Sequence, residues 1–209
     1  MASSNMRTVN SIVDSVSRAL TWLVLRGPAI LALRCFDQVY RAVFGRPVLR
    51  YCQITPHLLV GGQHRRHGWK HMQDVWGIDA VINLRQEVDD RLQDVAPDHY
   101  LHVPTRDNYP PDLAELRRAV DQLAIWVVAG HKVYVHCGVG VGRAPTLAAA
   151  YLVTTGMTPD VAWSLLRAKR PFILPLPAQR RCVGEFYADW LASRDARPGN
   201  AIAEQGALQ

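Results

Sequence analysis

The sequence predicts an α/β fold, a central and mostly parallel sheet flanked by helices, with a helical extension at its N-terminal side. From Arg50 onward, short apolar runs alternate with stretches of helical periodicity, the pattern of strands and helices wound in turn. One of those runs, Val133-Tyr134-Val135, leads directly into His136-Cys137 and a glycine-rich segment, as a buried strand feeding a loop does. The chain of 209 residues is long enough for one ordinary domain with its own core plus an extension.

The elements follow in order. Val9, Ile12, Val13, Val16, Leu20, Leu23 and Val24 recur at helical spacing and predict an amphipathic helix over 9–25. Gly27-Pro28 interrupts it, and Pro28 suits the first turn of a second helix reaching about Phe44. Ile30, Leu33, Phe36, Tyr40 and Val43 are expected to form the apolar face of that helix. Beyond Arg50, strands are expected at 51–54, 58–60, 80–84, 100–103 and 132–136. Helices are expected at 64–76, 112–129, 144–155, 159–169 and 178–193. The chain thus divides into an extension (1–49), a main domain (50–193) and a small, polar tail (194–209) that reads as disordered.

Composition narrows the function. The formal charge of +6 is carried almost wholly by Arg, with Lys only at 70, 132 and 169. Such a balance favours anionic partners, among them phosphoesters and acidic lipid surfaces. No aromatic-basic interleaving points to nucleic acid. Cysteines stand at 35, 52, 137 and 182, without zinc-ligand spacing, so no metal or other cofactor is expected. A reducing, cytoplasmic location is the simplest expectation. The extension leaves three roles open: helices packed on the main domain, peripheral membrane contact through residues 9–44, or a targeting segment for an organelle. A membrane span is not expected, because Arg26, Gly27 and Pro28 break the apolar stretch from Ala19 to Leu33. The oligomeric state has no sequence signal.

The chemistry concentrates between Lys132 and Thr146. Cys137 and Arg143 stand in C-x5-R spacing, but so do Cys35 and Arg41, and arginine fills about one position in ten. Spacing alone therefore decides nothing. What distinguishes 137–143 is a strand before it, Gly138, Gly140 and Gly142 within it, and an Ala-rich helix after it. Glycines let successive backbone N–H groups turn inward as an anion nest, and a helix N-terminus adds its positive end. Gly138, Val139, Gly140, Val141, Gly142 and Arg143 are thus expected to bind a phosphoryl dianion above the Cys137 thiol. Arg143 offers a planar fork for two oxygens. An electropositive cup favours the thiolate, the nucleophilic form of cysteine. His136 is expected to fix the loop rather than touch substrate. Expulsion of the leaving oxygen needs a proton donor. Asp107, in the Pro-rich loop 102–112, is the expected general acid, whereas Asp112 precedes a helical run and reads as its N-cap.

At these residues the sequence resembles the dual-specificity branch of the cysteine-based protein tyrosine phosphatase superfamily. His136, Cys137, Gly140 and Arg143 match that family's loop, and Asp107 falls where its acid loop lies. The likeness covers about residues 50–192, including Ile54 to Gly62, Ala80 to Arg85, Arg170-Pro171 and Gln179. It implies a protein tyrosine phosphatase-like fold and a phosphocysteine intermediate. Gln179, by the same likeness, either positions water or is structural. Two departures stand out. Ala144 replaces the hydroxyl that follows the family's arginine, and Arg143-Ala144-Pro145 resembles the active plant starch-phosphatase relatives of laforin. The loop positions Gly138, Val139, Val141 and Gly142 carry no charge, which disfavours a polyphosphorylated headgroup.

The leading expectation is a phosphatase of phosphotyrosine and phosphoserine or phosphothreonine in proteins. The alternatives are a phosphatase of a phospholipid such as phosphatidylglycerophosphate or of a phosphoglucan, and a phosphate-binding module without turnover.

Overall fold

The computed structural model describes residues 27–195. Helix α1 (Pro28–Phe44) opens the described chain, with Pro28 in its first turn and Gly45 closing it in the left-handed conformation. A short 3-10 turn (Leu49–Tyr51) leads to strand β1 (Leu58–Gly62) and helix α2 (Arg66–Asp74). Then come β2 (Ala80–Arg85), a 3-10 turn (Asp90–Gln93), β3 (His99–Thr105) and helix α3 (Leu113–Val128). Strand β4 (Val133–Cys137) is followed by α4 (Arg143–Thr154), α5 (Pro159–Lys169) and α6 (Pro177–Asp195). The predicted helix over 9–25 and the tail after Asp195 lie outside the described residues.

The four strands form one sheet in the order β1-β4-β2-β3, and all three pairings are parallel. Parallel sheets are covered on both faces, so their strands read as unbroken apolar runs. Alternate residues then divide between two cores. Leu58, Val60, Ile82, Leu84, Val133 and Val135 point into the larger one, under α3 to α6. Leu59, Val81 and Tyr134 point to the other face, where α2 brings Trp69 and Met72. Helix α4 is buried from Arg143 to Val153, which explains why its sequence is small and apolar all round. Asp112 caps α3 by accepting from the Glu115 N–H at 2.8 Å, as the sequence predicts.

Two local expectations are corrected. Residues 51–54 do not form a strand; they leave the 3-10 turn, and only Gln53 makes an isolated antiparallel bridge to Leu59. The apolar face expected for α1 is not its buried face, and Ile30, Leu33 and Tyr40 are only half-buried. Phe36 and Val43 are exposed, while the buried side chains of the helix are Asp37 and Arg41. The core side of α1 is ionic because it meets backbone carbonyls rather than side-chain methyls.

Candidate active site

Strand β4 lies between β1 and β2, and Cys137 is its last residue. Ligands of open α/β sheets gather beyond the carboxyl ends of such strands. There, a cleft of about 700 Å³ has Cys137, Gly138, Val139, Val141, Gly142 and Arg143 at its floor. The loop folds over the thiol so tightly that the Gly140 N–H donates to Cys137 Sγ at 3.3 Å. Gly140 has a φ of 75° and packs on β1, where a Cβ would stand 2.2 Å from the Gly61 carbonyl carbon. Only glycine fits there.

Arg143 begins α4 and is almost wholly buried. Its Nη1 donates to the carbonyls of Thr105 (2.8 Å) and Leu84 (3.3 Å), which aim the guanidinium along the floor. The same atom meets Glu87 at 3.0 Å, and Nη2 meets Asp107 at 3.0 Å. Burial works against the charge of Arg143, but the Glu87 hydrogen bond and the charges of Cys137 and Asp107 outweigh it and raise its pKa. Burial would lift the Glu87 carboxyl; the bond from Arg143 wins and holds it below its usual range. Asp107 is half exposed at the cleft wall, in reach of the floor, where a donor to a leaving oxygen belongs. Asp112 is taken up by its cap.

His136 is fully buried and does not line the cleft; its Nε2 pairs with Asp90 Oδ2 at 2.6 Å. Asp90 Oδ1 accepts from Arg85 at 2.5 Å, and Arg85 also donates to Gln63 Oε1. Burial raises the Asp90 carboxyl, and its bond to His136 overrides this, leaving it at about 2. His64 stacks edge-on against His136 and is pushed down to about 4, first by burial and then by that neighbour. His64, Asp90 and His136 have ligand-capable atoms within 4.8 Å of one another. Asp90 accepts on both oxygens, from His136 and from Arg85, so the trio is bound into a buried hydrogen-bond network. Gln179, 1% exposed, borders the cleft beside Gly142. Its Oε1 accepts from Leu176 N–H and its Nε2 donates to the Tyr109 carbonyl, tying the acid loop to α6. The other buried thiols differ from Cys137 in setting. Burial pushes Cys52 up to about 12 and Cys182 up to about 11.

With that geometry, the family model described as "Dual specificity phosphatase, catalytic domain" matches residues 59–189. The chain belongs to the dual-specificity phosphatase family. Among curated relatives of this family member, the phosphatidylglycerophosphate phosphatase PTPMT2 of Arabidopsis thaliana is 31% identical over 64% of the chain. Dual specificity protein phosphatase 1 of Homo sapiens is 30% identical over 59%. The chain spans 61% and 33% of those two proteins. The crystal structure of PTPMT1 superposes over 70% of the chain and 99% of its own length, at 24% identity and a TM-score of 0.63. That likeness concerns the fold.

The sequence groups Cys137, Arg143, Asp107 and the loop 138–142, and the structure gathers them at one cleft. Sequence reasoning missed Glu87, Asp90, Arg85 and the pair Asp37 and Arg41. Asp90 and Arg85 flank a loop just beyond β2, so acid and base at a strand's C-terminal end were the available signal. Arg41 was visible only as half of an uninformative spacing.

Proposed function

We propose that this chain is a phosphatase of a singly phosphorylated phospholipid headgroup, acting through a phosphocysteine. The thiolate of Cys137 attacks phosphorus, the bond to the leaving oxygen breaks, and Asp107 gives that oxygen its proton. Asp107 then takes a proton from water as the water attacks phosphorus, which releases inorganic phosphate and restores the thiolate. Loop amides and Arg143 hold the three non-bridging oxygens throughout, where charge builds in the transition state.

The observation that carries the lipid reading is the outer wall of the cleft. Arg34 and Gln38 of α1 line it, and α1 stands outside the segment matched by the family model. A headgroup such as phosphatidylglycerophosphate brings a phosphodiester beside the scissile phosphate, and an arginine at the rim is the partner for it. The loop positions between Cys137 and Arg143 carry no charged side chain, which suits one phosphomonoester. Phe36, Val39, Val43 and Phe44 on the same helix are between 48% and 63% exposed, an apolar stripe suited to the edge of a bilayer. The Arabidopsis relatives named as phosphatidylglycerophosphate phosphatases support this order of preference. The phosphoprotein reading is supported by the human dual specificity protein phosphatase at similar identity.

The test compares phosphatidylglycerophosphate in vesicles with phosphotyrosine and phosphothreonine peptides, using wild type and Arg34→Gln. Lipid turnover should exceed peptide turnover at least tenfold in kcat/KM. Arg34→Gln should lower lipid kcat/KM about tenfold, the worth of one charged hydrogen bond, and leave p-nitrophenyl phosphate untouched. Faster turnover of the peptides would overturn the lipid reading in favour of the protein one.

A further inference from the structure

The phosphate loop is held from outside as firmly as it is shaped from inside. A planar trans peptide points its C=O and N–H in opposite directions, so a donor gripping the carbonyl from behind aims the N–H into the nest. Four consecutive carbonyls of the loop are gripped this way. Gly138 O accepts from Gln63 N–H (3.0 Å) and from Arg41 Nη1 (3.2 Å). Val139 O accepts from Arg170 Nη2 (3.0 Å) and Gly140 O from Arg170 Nε (2.7 Å). Val141 O accepts from the Leu174 N–H (2.9 Å). The N–H on the peptide behind Val139 O is that of Gly140, the one that meets Cys137 Sγ.

Two guanidinium groups grip three of these carbonyls, and one carboxylate sets both groups. Asp37 Oδ2 lies 3.1 Å from Arg41 Nε and 3.5 Å from Arg170 Nη2, and Asp37 and Arg170 are fully buried. Arg41 fits because β1 ends in glycine; a Cβ on Gly62 would stand 2.6 Å from its Cζ. Two arginines against one aspartate leave a net positive charge directly behind the nest. A cation on a carbonyl also polarises its peptide and strengthens the N–H on the far side.

We propose that Asp37 and Arg41 are positioning residues for oxyanion binding. Helix α1, though outside the family segment, thereby forms the back half of the phosphate site. This inference needs the loop to bind a phosphoryl group but is independent of the lipid reading, since its probe carries no headgroup.

The experiment uses the full chain and orthovanadate, with p-nitrophenyl phosphate as reporter and far-ultraviolet circular dichroism as a check of folding. Arg41→Met should weaken competitive inhibition by orthovanadate about tenfold, the scale of one hydrogen bond to a charged group, and raise KM with it. Arg41→Lys keeps the charge but lacks the fork, and should lose about threefold. A purely structural role would lower the folded fraction and leave the affinity of folded enzyme unchanged. Folded Arg41→Met with wild-type orthovanadate affinity therefore overturns the proposal. Should that variant not fold, Arg41→Lys decides by the same criterion. If neither folds, hydrogen exchange on wild type takes over. Orthovanadate in the loop should slow exchange of the α1 amides severalfold by reciprocal coupling, and unchanged rates overturn the proposal.

Discussion

Cys35 to Arg41 and Cys137 to Arg143 have identical spacing, and the molecule uses them in opposite ways. The first lies within α1, a continuous helix, with Cys35 exposed to solvent and Arg41 turned toward the sheet. The second spans the end of a strand, a three-glycine loop and the start of a helix, so that thiol and guanidinium share one cleft floor. On a helix, residues six apart point about 120° apart around the axis and a turn and two-thirds along it. In a nest, the same interval curls around one anion. The backbone between the two residues, and not their separation, creates the chemistry.

The largest expected effect breaks or upholds that contrast directly. Cys137→Ser should lower turnover of p-nitrophenyl phosphate by about a thousandfold or more, since serine lacks the reactive anion at neutral pH, while orthovanadate still binds. Cys35→Ser should leave kcat/KM at its wild-type value. Near-normal activity in the first variant, or a loss in the second, would erase the distinction.

A smaller effect sharpens the role of the cleft wall. Asp107→Ala should reduce kcat about a hundredfold on an alkyl phosphate, whose leaving oxygen needs a proton, and much less on p-nitrophenyl phosphate. Equal losses on both would move the general acid to another group, with Glu87 the next carboxylate at Arg143.

The smallest concerns Ala144, fully buried one residue beyond Arg143. Ala144→Ser restores a hydroxyl able to stabilise the departing thiolate of the phosphoenzyme. It should raise kcat about tenfold where hydrolysis of that intermediate is rate-limiting, which burst kinetics measure. A fall in kcat with no change in the burst would mean that the pocket behind the loop has no room for an oxygen.

Much of this arrangement is legible in the sequence because it is local. The β-rich run, the glycines and the Ala-rich helix are consecutive, so Cys137, Arg143 and the loop between them could be placed together before any fold was known. The parallel sheet followed from the alternation of elements. What escaped was everything that depends on register between distant segments. Asp90 reaches His136 only because β2 pairs with β4, and Glu87 reaches Arg143 across 56 residues of chain. Helix α1 misled for a related reason. Its apolar residues do lie on one side, but its partner is a row of loop carbonyls, and carbonyls call for a donor such as Arg41, held in turn by Asp37, rather than for Phe36. Hydrophobic periodicity cannot anticipate a helix whose core contact is ionic.

The raised pKa values of Cys52 and Cys182 bear on how such a protein would age under oxidative stress. Peroxides act on thiolates, and these two sulfurs stay protonated and shielded far above neutral pH. Oxidative damage would then spare Cys52 and Cys182 until the fold itself opens.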